Sequence, residues 1–232
     1  MMRYYEGTVF NAGTEAVVNT VNCVGVMGAG LALEFRLRYP DMFREYQRKA
    51  KAGLLRPGFV DYFVDRSGLT IVNFPTKDHF RHPSKLAWIE QGLRHFADTH
   101  QQWGFKSVAF PKLGTSHGGL NWKDVQPLME QFLRNLEVEI VICLDTLPYA
   151  EGVEGEMLRY LNAVPVEELT SSVRLSRPQL EALASSRPYS RFWHLSKTPK
   201  IGLKTYENIF QHIYARVKDP GSGAAQLTLF SE

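Results

Sequence analysis

Two short stretches of this chain combine residue types and spacing suited to holding an anion. Residues 17–35, VVNTVNCVGVMGAGLALEF, pass from an apolar strand-like run through Asn19 and Asn22 to Gly25, Gly28 and Gly30, then into a helical pattern. Gly28 and Gly30 immediately precede that helix, so unpaired backbone N–H groups and the positive helix end would face a phosphate. The spacing is neither the GxGxxG of dinucleotide oxidoreductases nor GxxxxGK[ST]. One such loop is equally well explained as a tight turn needing positive φ. Residues 111–122, PKLGTSHGGLNW, form a second junction of this kind, rich in Gly114, Thr115, Ser116, Gly118 and Gly119. Two such junctions at one edge of a sheet can grip a pyrophosphate from both sides.

The elements that must position these loops are legible as patterns. Apolar or alternating runs mark strands near 2–6, 15–20, 59–64, 69–74, 106–110 and 138–144. Between them, helical spacing appears in 31–50, interrupted by Pro40, in the stretch opened by Pro83, and in 122–136. Such alternation predicts an α/β sandwich. The DRSG link between 59–64 and 69–74 predicts an antiparallel hairpin, hence a mixed sheet. The α/β body is expected over 1–168, a small mainly helical segment over 169–218 with a helix start at Ser176-Arg177-Pro178, and a flexible tail over 219–232.

The 232 residues suffice for one sizeable core plus an appendage, and no apolar run is long enough to span a membrane. The opening MMRYYEGTVF lacks the pattern of a secretory signal. Cys23 and Cys143 have no CxxC or His/Cys metal spacing and read as buried reduced thiols, so the expected address is the cytoplasm and no metal is expected. From Thr170 onward nine Lys/Arg face four Asp/Glu, whereas the first 169 residues carry eighteen against twenty. The basic end suits a polyanion or acidic partner, or serves as a solubilising face.

The stretches VVNTVNCVGVMGAGLALEF, NFPTKDHFRHPS and PKLGTSHGGLNW, in this order, resemble the macrodomain family over roughly residues 1–160. Within it the likeness is to the DarG antitoxin type, itself similar to the human terminal ADP-ribose protein glycohydrolase. The resemblance implies a three-layer α/β/α sandwich with a six-stranded mixed sheet and an ADP-ribose cleft at one sheet edge. It also implies removal of ADP-ribose from thymidine in DNA, without a cofactor, reversing a DarT-like toxin. By motif, Asn22 meets the distal ribose, with Asn19 second to it. Gly28, Ala29, Gly30 and Leu31 offer backbone donors to the diphosphate. The loop Gly114, Thr115, Ser116, His117, Gly118, Gly119 and Leu120 closes over it, and Thr8 and Val9 stand where the fold meets adenine. Lys77 matches the family's lysine and, with Asn22, forms the expected catalytic pair.

Such a lysine can attack the anomeric carbon, or its ammonium can stabilise the departing base; either needs desolvation. Asp78 and His79 orient it or are plain loop residues. The human relative pairs its lysine with an aspartate, and the matching position here is Gly118, so His117 beside it becomes a candidate base or ribose contact. Two other readings stay open: a non-catalytic ADP-ribose reader, and a hydrolase acting on protein carboxylate esters or acyl-ADP-ribose. Near the end, Gln226, Leu227, Leu229 and Phe230 resemble the pentapeptide that docks on the bacterial sliding clamp. The stretch RPYSRFWHLSKTPK, 187–200, could hold DNA, form the core and rim of a helical module, or face a toxin. The expected state is a monomer.

Overall fold

The computed structural model describes residues 1–171 and 173–218, which divide into two compact units, Met1–Thr146 and Leu147 onward. In the first unit, strands β1 (Met2–Tyr5), β2 (Ala16–Val21), β3 (Asp61–Val64), β4 (Thr70–Pro75), β5 (Ser107–Pro111) and β6 (Glu139–Cys143) form one sheet of order β1-β6-β5-β2-β4-β3. Every pairing is parallel except β3 with β4, the expected hairpin. β4 is buried at all six positions and β6 at all but its first. Both are covered on two faces and accordingly read as mainly apolar runs rather than alternating ones, with buried Thr70 and Asn73 as the polar positions of β4.

Helices α1 (Gly30–Arg38) and α2 (Pro40–Lys51) cover one face, where Phe35, Met42 and Tyr46 pack on Val17, Ile71 and Val141. Helices α3 (Leu86–Thr99) and α4 (Trp122–Leu133) cover the other, with Ile89, Leu93, Phe96 and Met129 against Val18, Val72 and Phe110. Alternate residues of each central strand thus feed opposite layers, giving the three-layer sandwich. Pro40 sits at the first position of α2, where its missing N–H costs nothing. α3 begins three residues after Pro83, behind an extended Lys85, and the Ser84 N–H just before it donates to the Gly118 carbonyl.

The unit boundary falls at Thr146/Leu147, earlier than the expected 168. The displaced piece is α5 (Gly152–Ala163), which packs on α7 (Leu203–Lys218) and therefore belongs to the second unit. α6 (Arg177–Ser186) starts where expected, through a capping box between Ser176 and Gln179. The 187–200 stretch is partly core: Tyr189, Arg191 and Phe192 are buried, and Phe192 meets Phe210 edge-on at 5.1 Å. Arg191 is paired with buried Glu154 at 3.2 Å, and Glu154 also accepts the Phe192 N–H. DNA contacts by Tyr189, Arg191 and Phe192 are thereby excluded; Trp193, Lys197 and Lys200 stay on the surface. The Gln226–Phe230 peptide lies outside the described residues. No helix among the described residues is long and apolar enough to cross a membrane.

Candidate active site

Because β5, β2 and β4 are adjacent and parallel, everything that follows their C-terminal ends emerges at one sheet edge. β2 leads into the first glycine loop, β4 into Lys77, and β5 into the second glycine loop. Three contacts bring them together. The Cys23 N–H donates to the Asp78 carbonyl, 3.2 Å, tying the first loop to the peptide after Lys77. Lys77 Nζ donates to the His117 carbonyl in the second loop. The ring of His117 lies over Gly30, where a Cβ would meet its Cδ2 at 2.9 Å.

Lys77 is buried, and burial lowers its ammonium pKa from the ordinary lysine value. Apart from the His117 carbonyl its amine has no protein acceptor among the described residues, which leaves two of its three donors for a ligand. Cys23 is half-buried rather than buried. Burial, then the Asp78 carboxylate, pushes its thiol up to about 12, and the thiol donates to the Lys77 carbonyl at 3.3 Å. A protonated thiol is a poor nucleophile, so Cys23 is no candidate for nucleophilic attack here.

The first loop is held open from beneath by Asn22. Its Oδ1 accepts the N–H groups of Val24 (3.0 Å) and Val26 (3.4 Å), and its Nδ2 donates to the Val26 carbonyl at 2.5 Å. Buried Tyr46 on α2 donates to both the Asn22 carbonyl (2.7 Å) and Oδ1 (3.1 Å). Burial raises the phenol pKa, which keeps it a donor. One amide proton of Asn22 is left without a protein acceptor among the described residues. Tyr46 was hidden in the sequence because a tyrosine at helical spacing reads as core packing; only its hydroxyl partner reveals it. Tyr46→Phe strands the Asn22 carbonyl, while Oδ1 keeps the Val24 and Val26 N–H groups, at a cost of about 1–2 kcal/mol. Its expected outcome is a lower thermal midpoint and weaker ADP-ribose binding, measured by melting and calorimetry.

Beyond the loop, α1 starts at Gly30 with no side-chain cap and no acidic residue in its first turn. Gly28, Ala29 and Gly30 are exposed and Leu31 half-buried, so their N–H groups stand open to an anion. Gly30 has φ +54°, a conformation that favours glycine.

The structure sorts the remaining candidates. Asn19 does not line the cleft: it is fully buried in β2 and donates to Asn73 Oδ1 of β4 at 3.0 Å. The asparagine that holds the first loop is Asn22. Val9 is buried in the α1/α2 layer, so only its backbone and half-buried Thr8 are available to an adenine. Their turn, Val9–Asn11, packs on β2 and β5, which carries it toward the same edge. In the second loop Gly114 and Gly118 are buried and shape the turn, while Ser116, His117 and Gly119 are exposed and Thr115 and Leu120 half-buried. Asp78 accepts the His79 N–H (2.7 Å) and faces His82 Nδ1 (3.1 Å), so it is engaged away from the Lys77 amine. Sequence reasoning also missed Ser84, whose buried hydroxyl has no protein partner and lies against Gly118. Among the described residues no group of three or more His, Cys, Asp or Glu is arranged to hold a metal ion.

A mixed six-stranded sheet between two helical layers, with two glycine loops and a helix N-terminus at one edge, defines the macrodomain class. The macro domain family model matches residues 18–129, and the chain belongs to this family. It is 44% identical to the macrodomain of Mycobacterium tuberculosis DarG, covering 62% of this chain and 97% of that structure, with a TM-score of 0.59. It is 34% identical to Thermosipho africanus DarTG in complex with ADP-ribose, over 62% of this chain and 41% of that one, again with a TM-score of 0.59. The DNA ADP-ribosyl glycohydrolase of M. tuberculosis is 43% identical over 176 residues, 73% of this chain. The chain spans about half the length of that curated relative.

Proposed function

We propose that this protein is a hydrolase that releases ADP-ribose from a nucleobase of DNA, thymine first among them, with Lys77 as the acting residue and Asn22 at the distal ribose. The observation that carries this reading is the Lys77 amine: buried, depressed in pKa, and placed where the two glycine loops meet. A module that only reads ADP-ribose gains nothing from a buried lysine, whose desolvation is costly. The names of the relatives, DNA ADP-ribosyl glycohydrolase and an ADP-ribose complex, support the substrate class. A relative described as a DNA ADP-ribosyl transferase fused to the glycohydrolase supports a transferase as the partner whose product is removed.

In this reading the diphosphate lies on the N–H groups of Gly28 to Leu31 under the loop from Thr115 to Leu120, and the anomeric carbon faces Lys77 Nζ. The test is side-by-side incubation with ADP-ribosylated thymidine, guanosine and glutamate conjugates, with free ADP-ribose as readout. Release from the thymidine conjugate is expected; release only from glutamate makes it a protein hydrolase, and binding without release makes it a reader. Residues 226–230 add a second proposal from sequence alone, docking on the replicative sliding clamp. Their deletion is expected to abolish clamp pull-down and to leave hydrolysis of modified oligonucleotides intact.

A further inference from the structure

Directly after Lys77 the chain exposes a run of rings and cations that no core requires. Phe80 is 42% exposed, an unusual state for a phenylalanine. The half-buried His79 ring stacks on it with centroids 4.3 Å apart at 28°, and the Arg81 guanidinium sits 5.3 Å from its centroid. The His82 ring follows at 5.1 Å from that of His79. Next along the chain, Lys85 lies 4.5 Å over half-buried Trp88. Arg81 and Lys85 are both exposed, and neither has a carboxylate partner among the described residues. Asp78, the one acid in this stretch, is already engaged by the His79 N–H and His82.

We propose that residues 79–88 are a nucleobase platform that receives the single-stranded DNA flanking the modified base. The inference rests on the proposed function and names how that site takes a polymer rather than a nucleoside. Phe80 lies three positions after Lys77, at most about 10 Å of chain, so bases next to the one being released fall on this surface. Exposed rings extend the stack to neighbouring bases irrespective of sequence, and unpaired cations meet the phosphates. An acidic or apolar peptide would match the cations or the rings, whereas a single strand of DNA matches their alternation.

The test compares the full chain with Phe80→Ala and with the double variant Arg81→Gln/Lys85→Gln, none of which touches the cleft described above. The kcat/KM for ADP-ribose release is measured on an ADP-ribosylated single-stranded oligonucleotide and on ADP-ribosylated thymidine. Phe80→Ala is expected to lower the oligonucleotide value about tenfold, as loss of one stacked base does, with the nucleoside value unchanged. Anisotropy with an unmodified oligonucleotide gives an arm independent of catalysis. There the double variant is expected to reduce the slope of log K against log salt by about 1.4, two phosphates at about 0.7 each. If the wild type released nothing from either conjugate, the proposed function would fail while this binding arm still decided the platform. Equal losses on oligonucleotide and nucleoside, or no loss on either, would each overturn the platform.

Discussion

Replacing Lys77 by alanine is expected to lower the rate of ADP-ribose release from modified DNA by about 1,000-fold or more, the scale on which single acting groups matter. Binding of free ADP-ribose should change little, because the proposed reading puts the diphosphate on backbone N–H groups of the two loops rather than on the amine. The pH profile separates the two ways the lysine can act. Burial depresses its pKa, so more of it is neutral at a given pH than for a surface lysine. If the neutral amine attacks the anomeric carbon, the base leaves with the amine's proton, the ribose ring opens at its C1–O4 bond to give an imine, and water then hydrolyses that imine to free ADP-ribose and restore the amine. The rate then rises with pH through the depressed pKa, and borohydride traps ADP-ribose on Lys77. If the ammonium instead stabilises the departing base, the rate falls through the same pKa, nothing is trapped, and Lys77→Arg keeps part of the activity. Full activity in Lys77→Ala would remove the residue from the mechanism.

Gly118→Ala is expected to produce the second large effect, and it explains why no aspartate stands there. A Cβ at Gly118 would lie 2.1 Å from the Gly114 carbonyl oxygen and 2.5 Å from Ser84 Oγ. The first obstacle is backbone inside a closed turn, whose Gly114 carbonyl also accepts the Leu120 N–H, and the Gly118 carbonyl in turn accepts that of Ser84. The loop must therefore move, and overpacking of this kind costs about 1–3 kcal/mol, sometimes more. For a chain of this size each kcal/mol lowers the melting midpoint by about 2–4 °C. ADP-ribose affinity should fall with it, since moving Gly118 displaces His117, the residue that touches both Lys77 and Gly30. Gly119→Ala is the control: nothing lies within 4 Å of its Cβ, so only the strain of φ +77° applies, about 1–2 kcal/mol. If Gly118→Ala melted and bound like wild type, the loop would be looser than its contacts imply. A Lys/Asp pair of the human type is closed to this chain by the same geometry.

Local pattern alone determined the six strands, the hairpin of β3 and β4, the interruption at Pro40 and the two glycine junctions, because each is encoded within a few neighbouring residues. Period, proline and glycine act over one turn or one pleat, and the structure follows them closely. α5 escaped notice because GVEGEMLRYLNA carries two glycines and a weak apolar stripe, and its burial comes from α7, some fifty residues later. Motif resemblance also pointed to Lys77 and to both loops. What only the tertiary structure decided is which polar group does which task. Asn19 and Asn22 are one turn-like interval apart in sequence, yet one is sealed inside β2 against Asn73 and the other pins the glycine loop. Lys77, forty residues before His117, meets its carbonyl only because β4, β2 and β5 lie side by side and parallel. Strand neighbours are set by hydrogen bonds between distant segments, and no local spacing in the chain carries that information.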